Sequence, residues 1–283
     1  LDNFRADIAI RWVVALKSEA QAICEYFKMT LVSNEDLYPV YRDLAGVHWL
    51  IISGIGRVNT AAAVMYLYQK SSAPNWAGWI NIGVAGHRFD DIGSIYLVDK
   101  IIEKSTRKTF FPRFIHKSAV NKISLCTVDN PESEYESNSL FDMEGSSFFQ
   151  VVERLTCQQL IVVLKVISDS PGRPFKELTK TKIRNLIWEK INIVDLIVKE
   201  IEQTSKKEYF RLKDSEYYAE IIKKWNFSHS RKIQLKSELK RWETVFPGTN
   251  LMKQLDHCSD ATSVLSHLAN QLDSYAIDWP CVD

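Results

Sequence analysis

Short apolar runs alternate with amphipathic stretches through most of the chain, the hydrophobic period switching between that of a strand and that of a helix. Residues 8–15 read as a first strand. A helix follows through Ala22, Ile23, Tyr26 and Phe27, with Ser18 as its N-cap. Residues 37–40 and 41–44 suit short strands or a hairpin, and residues 48–52 a buried strand. That strand runs into Ser53-Gly54-Ile55-Gly56 and then a helix rich in Ala61, Ala62, Ala63 and Met65. Residues 79–86 repeat the pattern of a strand ending in small residues, and residues 94–102 add another strand. The segment 103–121 is basic and aromatic (Arg107, Lys108, Phe110, Phe111, Arg113, Phe114, His116) and is expected to be a loop. A short strand at 125–128 precedes acidic turn chemistry at 131–138, and Phe141 to Gln150 opens a helix predicted to reach Thr156. Residues 161–167 are almost continuously β-branched or aliphatic, interrupted by Lys165. That run is too short for a buried helix and reads as a strand covered on both faces.

Strands alternating with helices predict an α/β fold around a central sheet. From Leu178 the pattern changes. Ile183, Leu186, Ile187, Ile191, Val194, Ile197, Val198 and Ile201 form one stripe of a long amphipathic helix. A polar, Lys-rich break at 204–207 separates it from helical stretches at 217–225, 230–242 and 251–272, punctuated by Pro247-Gly248. The expected organisation is an α/β domain over 1–205 and an all-helical C-terminal extension over 206–283.

Composition narrows the class only a little. With 283 residues, 46% hydrophobic and 25% charged, the chain matches an ordinary globular protein large enough for a substantial core. A net charge of +1 selects no class of charged partner. The cysteines are scattered and odd in number, with no Cys-x-x-Cys, which fits reduced cytosolic thiols better than a disulfide framework or zinc site. No apolar run approaches membrane-spanning length, and Arg5, Asp7 and Arg11 do not suit a secretory signal. A cytoplasmic location away from membranes is expected. The histidines show no ligand spacing, so no metal is expected; His87, next to Gly86, is the one placed to touch a ligand. Between Lys206 and Arg241 eleven Lys/Arg face five Asp/Glu. Such an excess suits an acidic partner, including nucleic acid, although a solvated helical face is its commoner meaning.

Candidate chemistry gathers at the end of the apolar strand. It finishes in Ser168-Asp169-Ser170-Pro171-Gly172, delivering a carboxylate to the rim where open α/β sheets bind ligands. Asp169 taken alone serves equally well as a turn or helix cap. Gly54 and Gly56 let backbone approach a ligand at a helix N-terminus, although a Gly-x-Gly pair also makes tight turns with no ligand.

Ala15-Leu-Lys-Ser-Glu19, Ser53-Gly-Ile-Gly56, Gly83-Val-Ala-Gly86 and Asp142-Met-Glu-Gly145 lead, in that order, into Ile167-Ser-Asp169. This series resembles the nucleoside phosphorylase superfamily, and most closely its methylthioadenosine/S-adenosylhomocysteine nucleosidases; residues beyond about 205 have no counterpart in it. The resemblance implies a three-layer α/β/α nucleoside phosphorylase-like fold with a mixed, partly barrel-like sheet. It further implies a homo-oligomer, a small-molecule nucleoside as ligand and no cofactor. Asp169 then matches the acid at the purine base, with Ser168 orienting it. Glu144 matches the glutamate on the ribose hydroxyls and Met143 the residue packing against the sugar. Glu19 falls at the water-activating glutamate, and Ala85 and Gly86 at backbone lining the base pocket. The chemistry needs such groups: cleaving an N-glycosidic bond requires a proton for the leaving base, stabilisation of a cationic sugar and an activated water.

Several positions depart from the pattern. The chain between Ile102 and Phe141 is shorter than in the nucleosidases, leaving Thr127, Val128 and Asp129 as candidates for the base-contacting strand end. Val84 replaces a small polar residue, and the abbreviated segment after Asp169 leaves Phe175 as the candidate closing aromatic. One alternative is a phosphorylase with orthophosphate as co-substrate. Its first loop offers only Lys17, with Arg57 as a second candidate for the anion. Another alternative is a non-catalytic nucleoside-binding module whose basic extension engages nucleic acid or protein.

Overall fold

The computed structural model describes residues 7–34, 36–89, 91–114, 120–132, 135 and 137–275; His116, Cys281 and part of the 131–138 turn lie outside them. The first half of the chain forms β1 (Ile10–Val14), α1 (Lys17–Tyr26), β2 (Thr30–Leu31), β3 (Val40–Arg42), β4 (His48–Ile52), α2 (Arg57–Lys70), β5 (Gly78–Gly86) and β6 (Ile95–Glu103). There follow β7 (Thr109–Phe110), β8 (Lys122–Thr127), β9 (Leu140–Asp142), α3 (Gly145–Val152), β10 (Ile161–Asp169), α4 (Lys180–Trp188) and α5 (Ile191–Leu212). The remainder is helical: α6 (Glu216–Lys224), α7 (His229–Val245), α8 (Leu251–Gln254) and α9 (Ala261–Asp273). The chain divides into two compact units, 1–211 and 212–283.

The strands of the first unit make one mixed sheet. β1 lies parallel between β4 and β5, and β3 and β2 extend it antiparallel beyond β4. β10 runs parallel to β5 and antiparallel to β6. β6 runs parallel to β8 and β8 to β9, and β9 returns to β5 through Gly86 and Phe141. β5, β10, β6, β8 and β9 therefore close a ring, the barrel-like part that the resemblance implies.

Every residue of β10 is buried. Side chains alternate across a strand, so Val162, Leu164 and Val166 meet one apolar layer and Ile161, Val163 and Ile167 the other. The first layer is completed by Ile23 of α1, Ile187 of α4 and Val194, Ile197, Val198 and Ile201 of α5. The second is completed by Ala63, Val64 and Leu67 of α2 and by Phe148, Phe149 and Val152 of α3. The result is the expected three-layer α/β/α arrangement.

Four local expectations need correction. The first helix is capped at Leu16, and Ser18 lies inside its first turn. The stripe from Ile183 to Ile201 belongs to two helices, α4 and α5, with a turn at Glu189 and Lys190. The apolar spacing carries across that turn, so periodicity could not reveal it. Conversely, the polar residues at 204–207 continue α5. Ser205 is buried, its Oγ donating to Trp76 O (2.8 Å) and accepting from Ala9 N (3.3 Å). Thr204 Oγ1 donates back to Glu200 O at 3.0 Å, so its hydroxyl is satisfied inside the helix instead of ending it. Finally, Leu140–Asp142 pairs with Leu125, Cys126 and Thr127 as strand, and the helix begins only at Gly145.

The second unit has its own core, in which Ile221, Trp225, Leu235, Leu239, Trp242, Leu255 and Leu268 are buried. Among the described residues no helix is long and apolar enough to cross a membrane.

Candidate active site

The carboxyl ends of β1, β5, β8 and β10 converge on a cleft with about 550 Å³ of open space, lined by Leu16, Ala85, Val128, Phe141, Met143, Asp169 and their neighbours. Asp169 is the last residue of β10. Its Oδ1 accepts the Ser168 hydroxyl and its Oδ2 the Tyr135 hydroxyl. Ser168 and Tyr135 thus each hold one oxygen of the Asp169 carboxyl. Tyr135 carries no motif, and the sequence gives it no role. Its ring packs 5.1 Å from Phe141, and its phenol is held above its usual pKa by burial and then by Asp169. A side chain at Gly86 would overlap the Tyr135 hydroxyl, so glycine is needed there for close approach as well as for lining.

The opposite wall comes from the β9–α3 junction. Met143 lines the cleft, and Glu144 is buried beside it, Oε1 accepting from Gly56 N at 2.8 Å. Asp142 explains why this junction holds its shape. Its Oδ1 accepts from Thr127 Oγ1 (2.8 Å), and its Oδ2 accepts from Gly145 N (2.8 Å) and pairs with Lys165 Nζ (2.8 Å). Lys165, the lone charge of the apolar β10 run, is therefore the buried cation of the site. Burial alone would lower its pKa, but Asp142 and Glu144 outweigh it and raise it. The Glu144 carboxyl is pushed up to about 7 by burial and then by Asp142, against the pull of Lys165 and the Gly56 N–H.

Glu19 sits in the first turn of α1 and curls back beneath the cleft floor. Oε2 accepts from Ala15 N (3.0 Å) and Leu16 N (2.9 Å), and Oε1 from Val84 N (2.9 Å). Those three residues line the cleft, while Glu19 itself is 2% exposed. A Cβ at Gly83 would lie 2.8 Å from Oε1, so that glycine makes room for the acid. Burial raises the Glu19 pKa, opposed by the Val84 N–H and Lys165. Its charge also reaches both Lys165 and Glu144. Of Glu19, Glu144 and Asp169, only Asp169 lines the cleft; Glu19 and Glu144 are buried behind it, bonded to the backbone of Val84 and Gly56, and the other acids on its walls are Asp142 and Glu132.

Other expected residues fall on either side of this boundary. Ala85, Gly86, Ser168 and Phe175 line the cleft, whereas Gly54 (φ +80°) shapes the turn before α2 and does not line it. Of the three candidates for the base-contacting strand end, Val128 lines the cleft. Thr127 is taken up by Asp142, and Asp129 pairs with Arg57. Arg57 Nη1 contacts Glu103 and Nη2 lies 2.7 Å from Asp129, so both ends of its guanidinium are engaged by carboxylates. His87 is buried but does not line the cleft. Among the described residues no group of three or more His, Cys, Asp or Glu is arranged to hold a metal ion.

No protein-family model matches the chain, and no curated protein matches it by sequence. Solved structures do match. The Neisseria meningitidis 5′-methylthioadenosine/S-adenosylhomocysteine nucleosidase, in complex with methylthio-immucillin-A, superposes with a TM-score of 0.53 at 18% identity, over 68% of this chain and 97% of that one. An Arabidopsis thaliana 5′-methylthioadenosine nucleosidase gives 0.56 at 16% identity, over 69% and 96%. The Helicobacter pylori futalosine hydrolase gives 0.54 at 14%, over 68% and 98%. The fold is that of the nucleosidases. Nearly the whole length of these structures is thus spanned by about two thirds of this chain.

Proposed function

We propose that the protein is a nucleosidase that hydrolyses the N-glycosidic bond of a purine nucleoside or a 5′-modified relative. The supporting observation is Asp169 on a cleft whose walls, among the described residues, contain no Lys, Arg or His, with the Glu144 and Glu19 carboxyls buried directly behind wall residues Met143 and Val84. Asp169 supplies the proton or hydrogen bond to the leaving base. Glu144, when ionised, grips the ribose hydroxyls and stabilises the positive charge that develops on the sugar. Glu19, tethered by backbone N–H groups below the floor, polarises water on the other side of the anomeric carbon. Lys165 and Asp142 hold the Glu144 wall in place.

The same lining argues against orthophosphate as acceptor. An anion needs donors or cations, and here Arg57 is engaged by Glu103 and Asp129 while Glu144 takes the Gly56 N–H. The 5′ substituent has an exit: Leu16, Ile55 and Phe175 also line an adjoining cavity that continues to Leu178 and Ile183. A cytoplasmic setting is part of the proposal and rests on Cys24, Cys157 and Cys258 being unbridged thiols. So is a homo-oligomer, supported by the exposed side chains of Ile55 before α2 and of Val58 and Met65 along it.

The test is a panel of purine nucleosides and 5′-alkylthio derivatives, incubated with and without phosphate, with free base followed by chromatography. Release independent of phosphate is expected, falling by about 10²–10⁴-fold in Asp169→Asn. Strict phosphate dependence would transfer the reading to a phosphorylase, and binding without release to a non-catalytic module.

A further inference from the structure

The cavity that adjoins the cleft has a chemistry of its own. It has about 700 Å³ of open space and shares Leu16, Ile55 and Phe175 with the cleft, and Leu178 and Ile183 extend its apolar wall. The charged residues on that wall are Lys17 and Lys180, with no acid beside them. Both lysines are exposed, and neither meets a carboxylate among the described residues. By contrast, Lys70, Lys165 and Lys199 of the same unit each pair with an aspartate.

The backbone adds to this positive character. α1 and α4 both begin at the cavity and present the positive ends of their dipoles to it. α4 is capped by the Thr179 side chain, which accepts from Lys182 N. α1 starts at Leu16, whose side chain has no acceptor to offer, and the N–H groups of Lys17 and Ser18 have no partner among the described residues. Glu19, the acid of that first turn, faces away, its oxygens taken by the N–H groups of Ala15, Leu16 and Val84.

Ser18 gives an independent sign. It is 5% exposed and lines the cavity. Its hydroxyl has no hydrogen-bond partner among the described residues, yet it is not sealed in as the unpartnered Ser146 hydroxyl is, and the space it opens to is this cavity. Polar groups on residues this buried ordinarily find a partner. Here the missing partner has to come from what the cavity holds.

We propose that the cavity seats an anion, such as a carboxylate, at the far end of the substrate's 5′ substituent. An apolar stem runs along Ile55, Phe175 and Leu178, and the anion is held by Lys17, Lys180 and the Ser18 hydroxyl. The proposal rests on the nucleosidase reading of the cleft. Neither lysine lines the cleft itself, so the anion belongs to the tail of the substrate and leaves the place of the attacking water free.

The experiment compares adenosines carrying a 5′-(4-carboxybutylthio) chain, its uncharged carbamoyl counterpart or a 5′-phosphate with no stem. Each is titrated calorimetrically into the full chain bearing Asp169→Asn, and base release from the first two by the wild-type chain is followed in parallel. The carboxylate is expected to bind about tenfold tighter than the amide at low salt, and the margin to shrink as salt is added. Lys17→Met with Lys180→Met, both at exposed positions, is expected to bind the two compounds alike, and Ser18→Ala to narrow the margin. The 5′-phosphate is expected to bind no better than the amide. Equal affinity of carboxylate and amide, a margin that survives in the double lysine variant, or binding of neither compound overturns the proposal. A 5′-phosphate that binds tightest overturns it too, as does orthophosphate that speeds base release from the amide, since the cavity would then serve an acceptor. A margin without base release by the wild-type chain supports the anion seat and ends the nucleosidase reading; base release without a margin does the reverse.

Discussion

Two lysine–aspartate pairs in this protein have almost the same geometry and opposite surroundings. Lys165–Asp142 measures 2.8 Å, with side chains 2% and 1% exposed. Lys236–Asp214 measures 2.7 Å, with side chains 43% and 44% exposed. Distance does not separate them; solvent does. The buried pair is held by Thr127 and the Gly145 N–H and influences the charge of two more carboxyls, Glu19 and Glu144. The exposed pair is screened by water and salt and has no such reach.

That contrast is broken most directly at Lys165. Lys165→Met strands Asp142 without its counter-ion and is expected to cost about 3–5 kcal/mol of stability, read from urea unfolding. A loss under about 1 kcal/mol would mean that the pair behaves in solution like a surface one. Gly83→Ala presses a methyl group against the Glu19 carboxylate and is expected to cost about 1–3 kcal/mol, with slower turnover, since neither backbone nor acid has room to shift.

A pH profile sharpens the comparison further. The proposed grip of Glu144 on ribose requires its ionised form, so kcat/KM should rise with pH up to the Glu144 pKa of about 7 and level off above it. The acid limb should fall about tenfold per pH unit and disappear in Glu144→Gln. Stability moves the other way. A carboxyl whose folded pKa exceeds its unfolded value binds more protons when folded, so Glu144 lowers stability as pH rises from 4.5 to about 7. A stability rise across that window in the wild type, with no difference in Glu144→Gln, would contradict the assignment. The smallest effect belongs to the exposed pair: Lys236→Met is expected to change stability by no more than about 0.5 kcal/mol.

The same contrast explains what could be read from the chain. Ser168, Asp169, Met143 and Glu144 stand in unbroken motifs at element ends, where a few adjacent residues fix the local shape, and the structure puts the first three on one cleft with Glu144 buried behind Met143. Glu19 was legible for the same reason, but its position under the floor depends on Val84 from another strand. Lys165 was visible as the only charge in an apolar run, yet its partner lies across the sheet at Asp142. Tyr135 gave no signal, because its approach to Asp169 depends on the path of an irregular segment. Arg57, beside a glycine turn, suggested an anion ligand, and the two acids that pair with it, distant in sequence, could not be read from the chain. In the extension, counting charges suggested a basic face. Yet Lys224, Lys236 and Arg241 are paired with acids, which linear charge patterning does not reveal.

Ring closure has a dynamic consequence for the residue at the end of β10. That strand is clasped on both flanks, by β5 and by β6, and has no free border from which to peel away. Its amides should therefore be among the slowest in the protein to exchange with deuterium, opening only when the whole unit opens. Asp169 is tied to that clasp, so heat should extinguish turnover and dismantle the sheet in a single step, with no inactive but intact form between them.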